Sequence, residues 1–327
     1  MTTPRPRLLS PYPGAKNPKD YPVHDGGRYD CWLAPFAGCG EQESWLVQRY
    51  PGLPIVVSDS DFLVRATWEA WHRPRLRKET AALVQAWQQR IERNPEEAFA
   101  ELAELASFYY RPAHQIEYNP VLVPTVSILL RRLTFGGVIR LNAKGVLNVG
   151  LSQDKLQSFL NGWEFTWPAP PKSLKVFGDW SGVTDWIDGV DGVEAIAIVD
   201  PPYCAGTTDA YANAGGDAAM ALDCIEALLA SGNVTRIVAF NYWGEMADDA
   251  DTPTEYPICD AMQMLAHRHG VEAHLSHLGT LATMNKGAGK TAVHRFEGVW
   301  EIGGKRMYGS RPIVKPDATQ YEQMAFA

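Results

Sequence analysis

The stretch EAIAIVDPPY, residues 194–203, decides the fold. The run of apolar residues before Asp200 is typical of a strand buried inside a parallel sheet. The two prolines after the aspartate lack an N–H donor and have a fixed φ angle, so the strand must end there. We therefore expect Asp200 and Tyr203 to lie at the rim of the sheet.

The residues at this strand end suggest a ligand as well as a turn. The Asp200 carboxylate and the carbonyl groups that precede the prolines accept hydrogen bonds, and Tyr203 presents a flat aromatic face. Acceptors beside an aromatic plane suit a flat substrate that carries an amino group. The alternative is a turn that only ends a strand.

Three other segments have the same buried-strand pattern: YDCWLAPFAGCG (29–40), LPIVVSDSD (53–61) and TRIVAFNYW (235–243). The segment at 217–233, DAAMALDCIEALLASGN, has apolar residues at helical spacing and ends in Gly-Asn, so strand, helix and strand alternate. This alternation predicts an α/β fold in which ligands bind beyond the carboxyl ends of the strands.

The middle of the chain has a different pattern. From residue 62 to about 110 it is rich in Ala, Leu, Glu, Gln and Arg at helical spacing. A short helix, a turn at Gly136-Gly137 and two strand-like pieces around Ala143–Gly145 follow. We predict a mainly helical insertion over residues 62–164 with a hairpin near its end, which divides an α/β domain made of residues 1–61 and 165–327.

The composition limits the class of protein. Of the 327 residues, 46% are hydrophobic and 21% charged, as in folded globular domains, and no apolar run approaches the ~20 residues of a membrane span. The first residues contain no apolar signal segment, so we expect a cytoplasmic protein, either a monomer or a weak dimer. Five scattered cysteines suit reduced thiols, and the four histidines within residues 267–277 match no standard zinc module, so no metal is predicted.

Two candidate ligand contacts follow the first two strands. In APFAGCGEQESWLV (34–47), Gly38 and Gly40 allow the backbone to approach a ligand at a helix N-terminus, although an ordinary tight turn would use the same residues. About twenty residues later, Asp59 follows a strand end, where an acidic side chain can accept hydrogen bonds from a ribose diol. The alternative is that Asp59 or Asp61 caps the next helix.

Basic residues concentrate near the predicted hairpin although the net charge is −8. Arg131, Arg132, Arg140, Lys144 and Lys155 have only Asp154 opposing them, which indicates a local strip that could face phosphates. Arg140 could reach a guanine edge or lie on phosphate or solvent. A second basic loop, TMNKGAGKTAVHR (283–295), contains Lys286 and Lys290 and could contact phosphate or be a plain surface hairpin.

Taken together, these motifs resemble the class-alpha, Dam-type adenine DNA methyltransferases. The resemblance lies in the order of PYPGAK (11–16), APFAGCG (34–40), SDSD (58–61), a helical insertion, FGDW (177–180) and DPPY (200–203). The hairpin segment GGVIRLNAKGVLNVG (136–150) and the segment from His277 to Gly303 are also similar to parts of that family. The resemblance spans nearly the whole chain.

The resemblance implies a Rossmann-like methyltransferase fold, S-adenosylmethionine as cofactor, double-stranded DNA as partner, and the insertion as target-recognition domain. It implies a catalytic loop of Asp200, Pro201, Pro202 and Tyr203, in which Asp200 and the Pro201 carbonyl hold the adenine amine and Tyr203 stacks on the base. The implied cofactor contacts are Tyr12, Lys16, Phe36, Ala37, Gly38, Asp59, Asp179, Trp180 and Asp200. The implied DNA contacts are Arg131, Arg132, Arg140, Asn142, Lys144, Lys286 and Lys290.

The chain departs from the family pattern at Ala34, where a Glu is usual, and at Cys39, where Gly or Ala is common. The predicted function is site-specific methylation of adenine in DNA by base flipping, in restriction-modification or phage DNA modification, with GATC as one candidate site. Two alternatives remain at this point: a weak or inactive methyltransferase fold that regulates by binding DNA, and an RNA adenine methyltransferase.

Overall fold

A computed structural model describes residues 8–9, 28–201, 218–247, 254–282 and 293–303. These residues form two compact units, the first ending at Trp186 and the second beginning at Ile187. Both units combine strands and helices. The predicted α/β class is confirmed, and the arrangement within each unit is compatible with a Rossmann-like fold.

The first unit contains a parallel sheet of three short strands. They are β1 (Cys31–Ala34), β2 (Ile55–Ser58) and β3 (Leu174–Phe177). Strand β2 lies in the middle, with Leu33 opposite Val56 and Val57 opposite Val176. The order β3-β2-β1 is that of one half of a doubly wound sheet. All three carboxyl ends therefore lie along one edge.

Seven helices begin in the described part of this unit. They are α1 (Glu41–Arg49), α2 (Phe62–His72), α3 (Pro74–Arg93), α4 (Pro95–Tyr109), α5 (Leu122–Leu133), α6 (Gln153–Leu160) and α7 (Trp180–Asp188), with two short 3-10 turns at Pro112–His114 and Phe135–Gly137. Pro74 and Pro95 occupy first helical positions, where a missing N–H costs no helical hydrogen bond.

Helices α2 to α5 pack against one another around α5. Every residue of α5 from Val123 to Leu133 is buried except Arg132, which is partly exposed, so α5 is the central helix of the cluster. The helical character predicted for this region is confirmed. Because the cluster belongs to the same compact unit as β1–β3, the predicted limits of a separate domain at residues 62 and 164 are not confirmed.

The predicted hairpin follows α5. Leu141 and Leu147 form an antiparallel bridge, and the Asn148 N–H donates to the Arg140 carbonyl at 2.9 Å. The Asn142 side chain closes the turn by accepting from the N–H groups of Lys144 and Val146. The hairpin is anchored on α4 because the Leu147 N–H donates to the Ser107 hydroxyl at 2.9 Å.

The second unit has the strand–helix–strand order that the sequence predicts. Its elements are β4 (Ala195–Val199), α8 (Ala218–Ala230), β5 (Val234–Ala247), β6 (Thr254–Glu255), α9 (Ile258–Arg268), β7 (Ala273–Ala282) and β8 (Val293–Ile302). Strands β4 and β5 are parallel, β8 is antiparallel to both β5 and β7, and β6 pairs with part of β5.

A buried ion pair crosses two strands of this sheet. Arg236 on β5 donates to Glu301 on β8 at 2.5 Å, and each side chain is only 2% exposed. Farther along the same two strands, the aromatic rings of Trp243 and Phe296 stack with their centroids 5.0 Å apart. Polar and apolar contacts therefore both join β5 to β8.

Two further sequence expectations concern the core and the membrane. Cys31, Cys39, Cys224 and Cys259, the cysteines of the described ranges, are buried and carry reduced thiols, as the sequence predicts. No helix in the described part of the chain has both the length and the apolar composition needed to cross a bilayer.

Candidate functional site

The loop between β1 and α1 is fastened to the end of β2. The Ala37 N–H donates to the Ser58 carbonyl at 2.9 Å, and the Ser58 hydroxyl donates to the Pro35 carbonyl at 2.7 Å. Gly40 has a φ of 66°, and a Cβ there would lie 2.8 Å from the Trp68 ring of α2. The backbone therefore needs glycine at position 40 for both its conformation and its packing.

The Asp59 carboxylate links this loop to the start of the next one. Its Oδ2 accepts from the Gly38 N–H at 2.8 Å, and its Oδ1 accepts from the Asp61 N–H at 2.9 Å. Burial, and then the neighbouring Asp61 charge, raise the pKa of Asp59 to about 6, although the two backbone donors act in the opposite direction. Two backbone hydrogen bonds thus hold the side chain at the carboxyl end of β2.

Asp61 performs the capping task. Its Oδ1 accepts from the N–H of Leu63 at 2.9 Å and from the N–H of Val64 at 3.4 Å, which caps the N-terminus of α2. Of the two roles considered for this pair of aspartates, a helix cap and a ribose contact, the cap therefore belongs to Asp61. Asp61 caps the helix, and Asp59 lies at the strand edge where a ribose contact is predicted.

The N-terminus of α1 carries acidic side chains. Glu41 and Glu43 lie in its first turn, each is 3% exposed, and Glu43 accepts a hydrogen bond from the Trp32 indole at 3.3 Å. The Gly38 N–H is donated to Asp59 and the Gly40 N–H to the Ala37 carbonyl. The backbone donors expected at these two glycines are therefore used inside the protein, which differs from the usual phosphate-binding loop.

The end of β3 adds the next predicted pair. Asp59 and Phe177 are joined by a backbone hydrogen bond of 3.4 Å, which places the end of β3 beside that of β2. Asp179 is exposed, and its carboxylate accepts from the Ser181 N–H at 2.9 Å at the start of α7. Partly exposed Trp180 is the first residue of that helix.

The structure thus places several predicted cofactor residues of the first unit at neighbouring strand ends. They are Phe36, Ala37 and Gly38 after β1, Asp59 after β2, and Asp179 and Trp180 after β3. Trp68 joins them, because its indole donates to the Gly38 carbonyl at 3.1 Å. Sequence reasoning missed Trp68, whose helical spacing marks it only as a core residue.

In the second unit, Asp200 directly follows β4. The residue is partly exposed and the next, Pro201, is buried, so the strand ends at the aspartate as the sequence predicts. The other predicted residues Tyr12, Lys16, Pro202, Tyr203, Lys286 and Lys290 lie outside the described residues.

The prediction that Arg131 faces DNA is wrong. Its side chain is 3% exposed and pairs with Asp61 at 2.8 Å. Its neighbour Arg132 is partly exposed, donates to the Ser158 hydroxyl at 2.9 Å and lies over the Trp163 ring. Adjacent residues on a helix point about 100° apart, so one of the two arginines turns inward and the other outward.

The remaining predicted DNA residues of the hairpin are exposed. Arg140, Asn142 and Lys144 all face solvent, and the Arg140 Nε donates to Asn148 at 3.1 Å. That bond uses one edge of the guanidinium, and the edge with the two terminal nitrogens has the geometry that pairs with guanine. Asn142 also shapes the turn, so its side chain has a structural task as well.

Phe135 is a candidate contact that the sequence analysis missed. Its side chain is 77% exposed and lies in the 3-10 turn between α5 and the hairpin. Gly136 and Gly137 follow with φ values of 62° and 73°, which glycine adopts without strain. Single exposed apolar side chains are common on protein surfaces, so Phe135 is a candidate only because its turn leads directly into the predicted DNA-binding hairpin.

Comparisons with known proteins give no family for this chain. No protein-family model matches it, and no curated protein is similar enough to count as a relative. Within the described ranges, no group of three or more His, Cys, Asp or Glu side chains could hold a metal ion.

Proposed function

We propose that the protein transfers a methyl group from S-adenosylmethionine to the exocyclic amine of an adenine flipped out of duplex DNA. The observation that carries the proposal is Asp59, a carboxylate at the end of β2 that is fixed to the glycine loop through Gly38 at 2.8 Å. An acidic side chain at this place in an α/β fold accepts hydrogen bonds from a ribose diol. The position of Asp59 therefore supports a ligand that contains a ribose.

The acidic first turn of α1 favours S-adenosylmethionine over a phosphorylated nucleotide. Glu41 and Glu43, two buried acidic residues, lie in the first turn of α1 and bring negative charge to the helix end at which a pyrophosphate would bind. A sulfonium and an amino group carry positive charge instead and are compatible with these neighbours. The residues present therefore fit this cofactor, although Ala34 replaces the Glu usual in the family that the sequence resembles.

In the proposed reaction, Asp200 and the Pro201 carbonyl accept hydrogen bonds from the target amine and orient its lone pair. When bound, S-adenosylmethionine supplies a methyl group whose bond to sulfur breaks as its bond to the adenine nitrogen forms. The displaced proton leaves through the hydrogen bond to Asp200. Positioning and electrostatics supply most of the rate acceleration in such a transfer.

The target amine lies inside a duplex, so the base must leave the stack before it can react. The exposed hairpin residues Arg140 and Lys144 suit contact with a base edge and with phosphate. Phe135 suits contact with bases, because an aromatic ring can stack where a base has been displaced.

The test is to express the protein in a host without adenine methylation and to sequence the DNA for modified adenine. We expect modification at one short sequence, which also identifies the recognition site. DNA that is bound but never modified would replace the proposal with a DNA-binding regulator. Modified adenine in RNA alone would replace it with an RNA enzyme.

Cofactor affinity is expected to fall as the pH decreases from about 8 to about 5, with a midpoint near the Asp59 pKa of about 6. Protonation makes the carboxyl a weaker acceptor for the ribose by about 1 kcal/mol, which is roughly fivefold in affinity. Calorimetric titration with S-adenosylhomocysteine measures the effect.

Asp59→Asn is the control, and it should bind weakly at every pH with the dependence lost. The stability of the free protein should change in the opposite sense. Because the folded pKa lies above the ordinary 3.8, the contribution of Asp59 to the free energy of unfolding is present below that value and is lost as the pH rises through about 6. Constant wild-type affinity across this range would remove Asp59 from the ribose site.

Phe135→Ala is expected to weaken DNA binding by roughly 1–3 kcal/mol, the usual loss for one stacked base. The exposed ring contributes little to folding, so the free energy of unfolding should change by less than about 0.5 kcal/mol. Fluorescence anisotropy with a labelled duplex measures the affinity.

The matched control for Phe135 is Ile116→Ala. Ile116 is 83% exposed in the same unit and lies on the segment that follows α4 rather than on the turn before the hairpin. Its replacement should leave the affinity unchanged. Equal losses in the two variants would show a general effect of apolar surface and would count against a DNA contact at Phe135.

A further inference from the structure

The Asp61 carboxylate makes hydrogen bonds to residues of, or next to, three helices of the first unit. Besides capping α2 through Leu63 and Val64, its carboxylate accepts from the Tyr110 hydroxyl at 3.0 Å and from the Arg131 guanidinium at 2.8 Å. Tyr110 follows α4, and Arg131 lies on α5. A single side chain therefore ties the loop after β2 to the ends of two helices far away in sequence.

Arg131 extends this connection to the hairpin. One terminal nitrogen donates to Asp61 at 2.8 Å, and the other donates to the Gly137 carbonyl at 3.1 Å. Gly137 ends the turn that presents Phe135, and the hairpin begins immediately after it. The buried guanidinium thus spans the space between the loop after β2 and the turn before the hairpin.

The same loop contains Asp59. The Asp61 N–H donates to the Asp59 Oδ1, and the Gly38 N–H donates to the Asp59 Oδ2. A continuous series of hydrogen bonds therefore runs from the glycine loop through Asp59, Asp61 and Arg131 to Gly137. Its bonds measure between 2.8 and 3.1 Å.

We propose that Arg131 is a positioning residue that couples cofactor binding at Asp59 to DNA binding at the hairpin. The inference rests on the proposed function, because it takes Asp59 as the ribose contact and the hairpin as the DNA contact. Arg131 itself touches neither ligand.

The coupling arises from shared ordering of the two segments. A cofactor held by Asp59 restricts the loop after β2, which fixes Asp61 and with it the guanidinium of Arg131. The fixed guanidinium then holds the Gly137 carbonyl, so the turn is already ordered when DNA arrives. A second ligand that finds the protein already ordered binds more tightly, and by linkage the effect is mutual.

The test is a binding cycle that uses S-adenosylhomocysteine and a labelled DNA duplex. Each affinity is measured with and without saturating amounts of the other ligand. The ratio of the two affinities is the coupling ratio, and linkage requires it to be the same for both ligands. In the wild type, we expect each ligand to raise the affinity of the protein for the other by roughly fivefold or more, which is the lower end of ordinary coupling. We also expect S-adenosylhomocysteine, added without DNA, to slow amide hydrogen exchange at residues 135–148.

Arg131→Lys is the informative variant. One ammonium group can pair with Asp61 but cannot also reach the Gly137 carbonyl with a planar fork, so the coupling ratio should fall to about one. The double variant Asp61→Asn with Arg131→Met removes both charges of the pair together and gives the same test if the lysine variant folds poorly. Both should lose the hydrogen-exchange response.

Tyr110→Phe is the matched control, because it removes one hydrogen bond to Asp61 and leaves the bridge to Gly137. Its coupling ratio should equal that of the wild type. Unchanged coupling in the Arg131 variants, or a ratio of one in the wild type with both ligands bound, would overturn the inference alone. A wild type that binds neither ligand would overturn the proposed function and the inference with it.

Discussion

Replacing Asp200 by alanine is expected to reduce the rate of DNA methylation by at least roughly a hundredfold to a thousandfold, the usual loss when one polar contact to the reacting group is removed. Asp200 follows the buried strand β4 directly and is partly exposed. It is therefore placed to accept from a ligand, and its carboxylate is the proposed acceptor for the adenine amine. Incorporation of labelled methyl groups into a duplex under single-turnover conditions measures the rate.

Two measurements separate this effect from misfolding. Asp200→Ala should still bind DNA, and because Asp200 is only one of several proposed cofactor contacts, it should bind S-adenosylhomocysteine with reduced but measurable affinity. Asp191→Ala, an exposed aspartate on the loop before the same strand, should methylate at the wild-type rate. Methylation by Asp200→Ala at the rate of this control would remove Asp200 from the reaction.

Arg236→Met is expected to lower the free energy of unfolding by about 3–5 kcal/mol, because it leaves the buried Glu301 carboxylate without the partner it has at 2.5 Å. The double variant Arg236→Met with Glu301→Leu removes both charges and should recover most of that loss. Urea unfolding monitored by tryptophan fluorescence measures both values.

The second unit supplies a matched control for the ion pair. Arg268 and Glu226 are also paired, at 3.0 Å, but their side chains are 60% and 44% exposed. Arg268→Met should therefore cost less than about 1 kcal/mol. A similar cost for Arg236→Met would show that the interior pair is solvated despite its burial.

Much of the fold could be predicted because its strongest signals are local. The apolar runs that became β1, β2, β4 and β5 each end at Pro, Asp or Asn, and their strand-forming tendency is confirmed. Strand β3 was missed. Its four residues, LKVF, are too few for a periodic pattern, and they gain their strand conformation from pairing with β2.

The candidate site shows a similar division. The position of Asp59 after a strand could be read from the sequence, and so could the cap at Asp61, because both depend on neighbouring residues. The inward direction of Arg131 could not, since Asp61 lies 70 positions away in the chain. A run of two arginines predicts positive charge on a helix, and only the packing of α5 decides which arginine remains at the surface.

The acidic beginning of α1 has a consequence for competition in the cell. ATP shares its adenosine with S-adenosylmethionine, and it is abundant wherever DNA is replicated. A cofactor site that recognised only the base and the ribose would bind ATP as well as S-adenosylmethionine. If the proposed function holds, the negative charges of Glu41 and Glu43 in the first turn of α1 would disfavour the triphosphate of ATP and favour a ligand that carries positive charge.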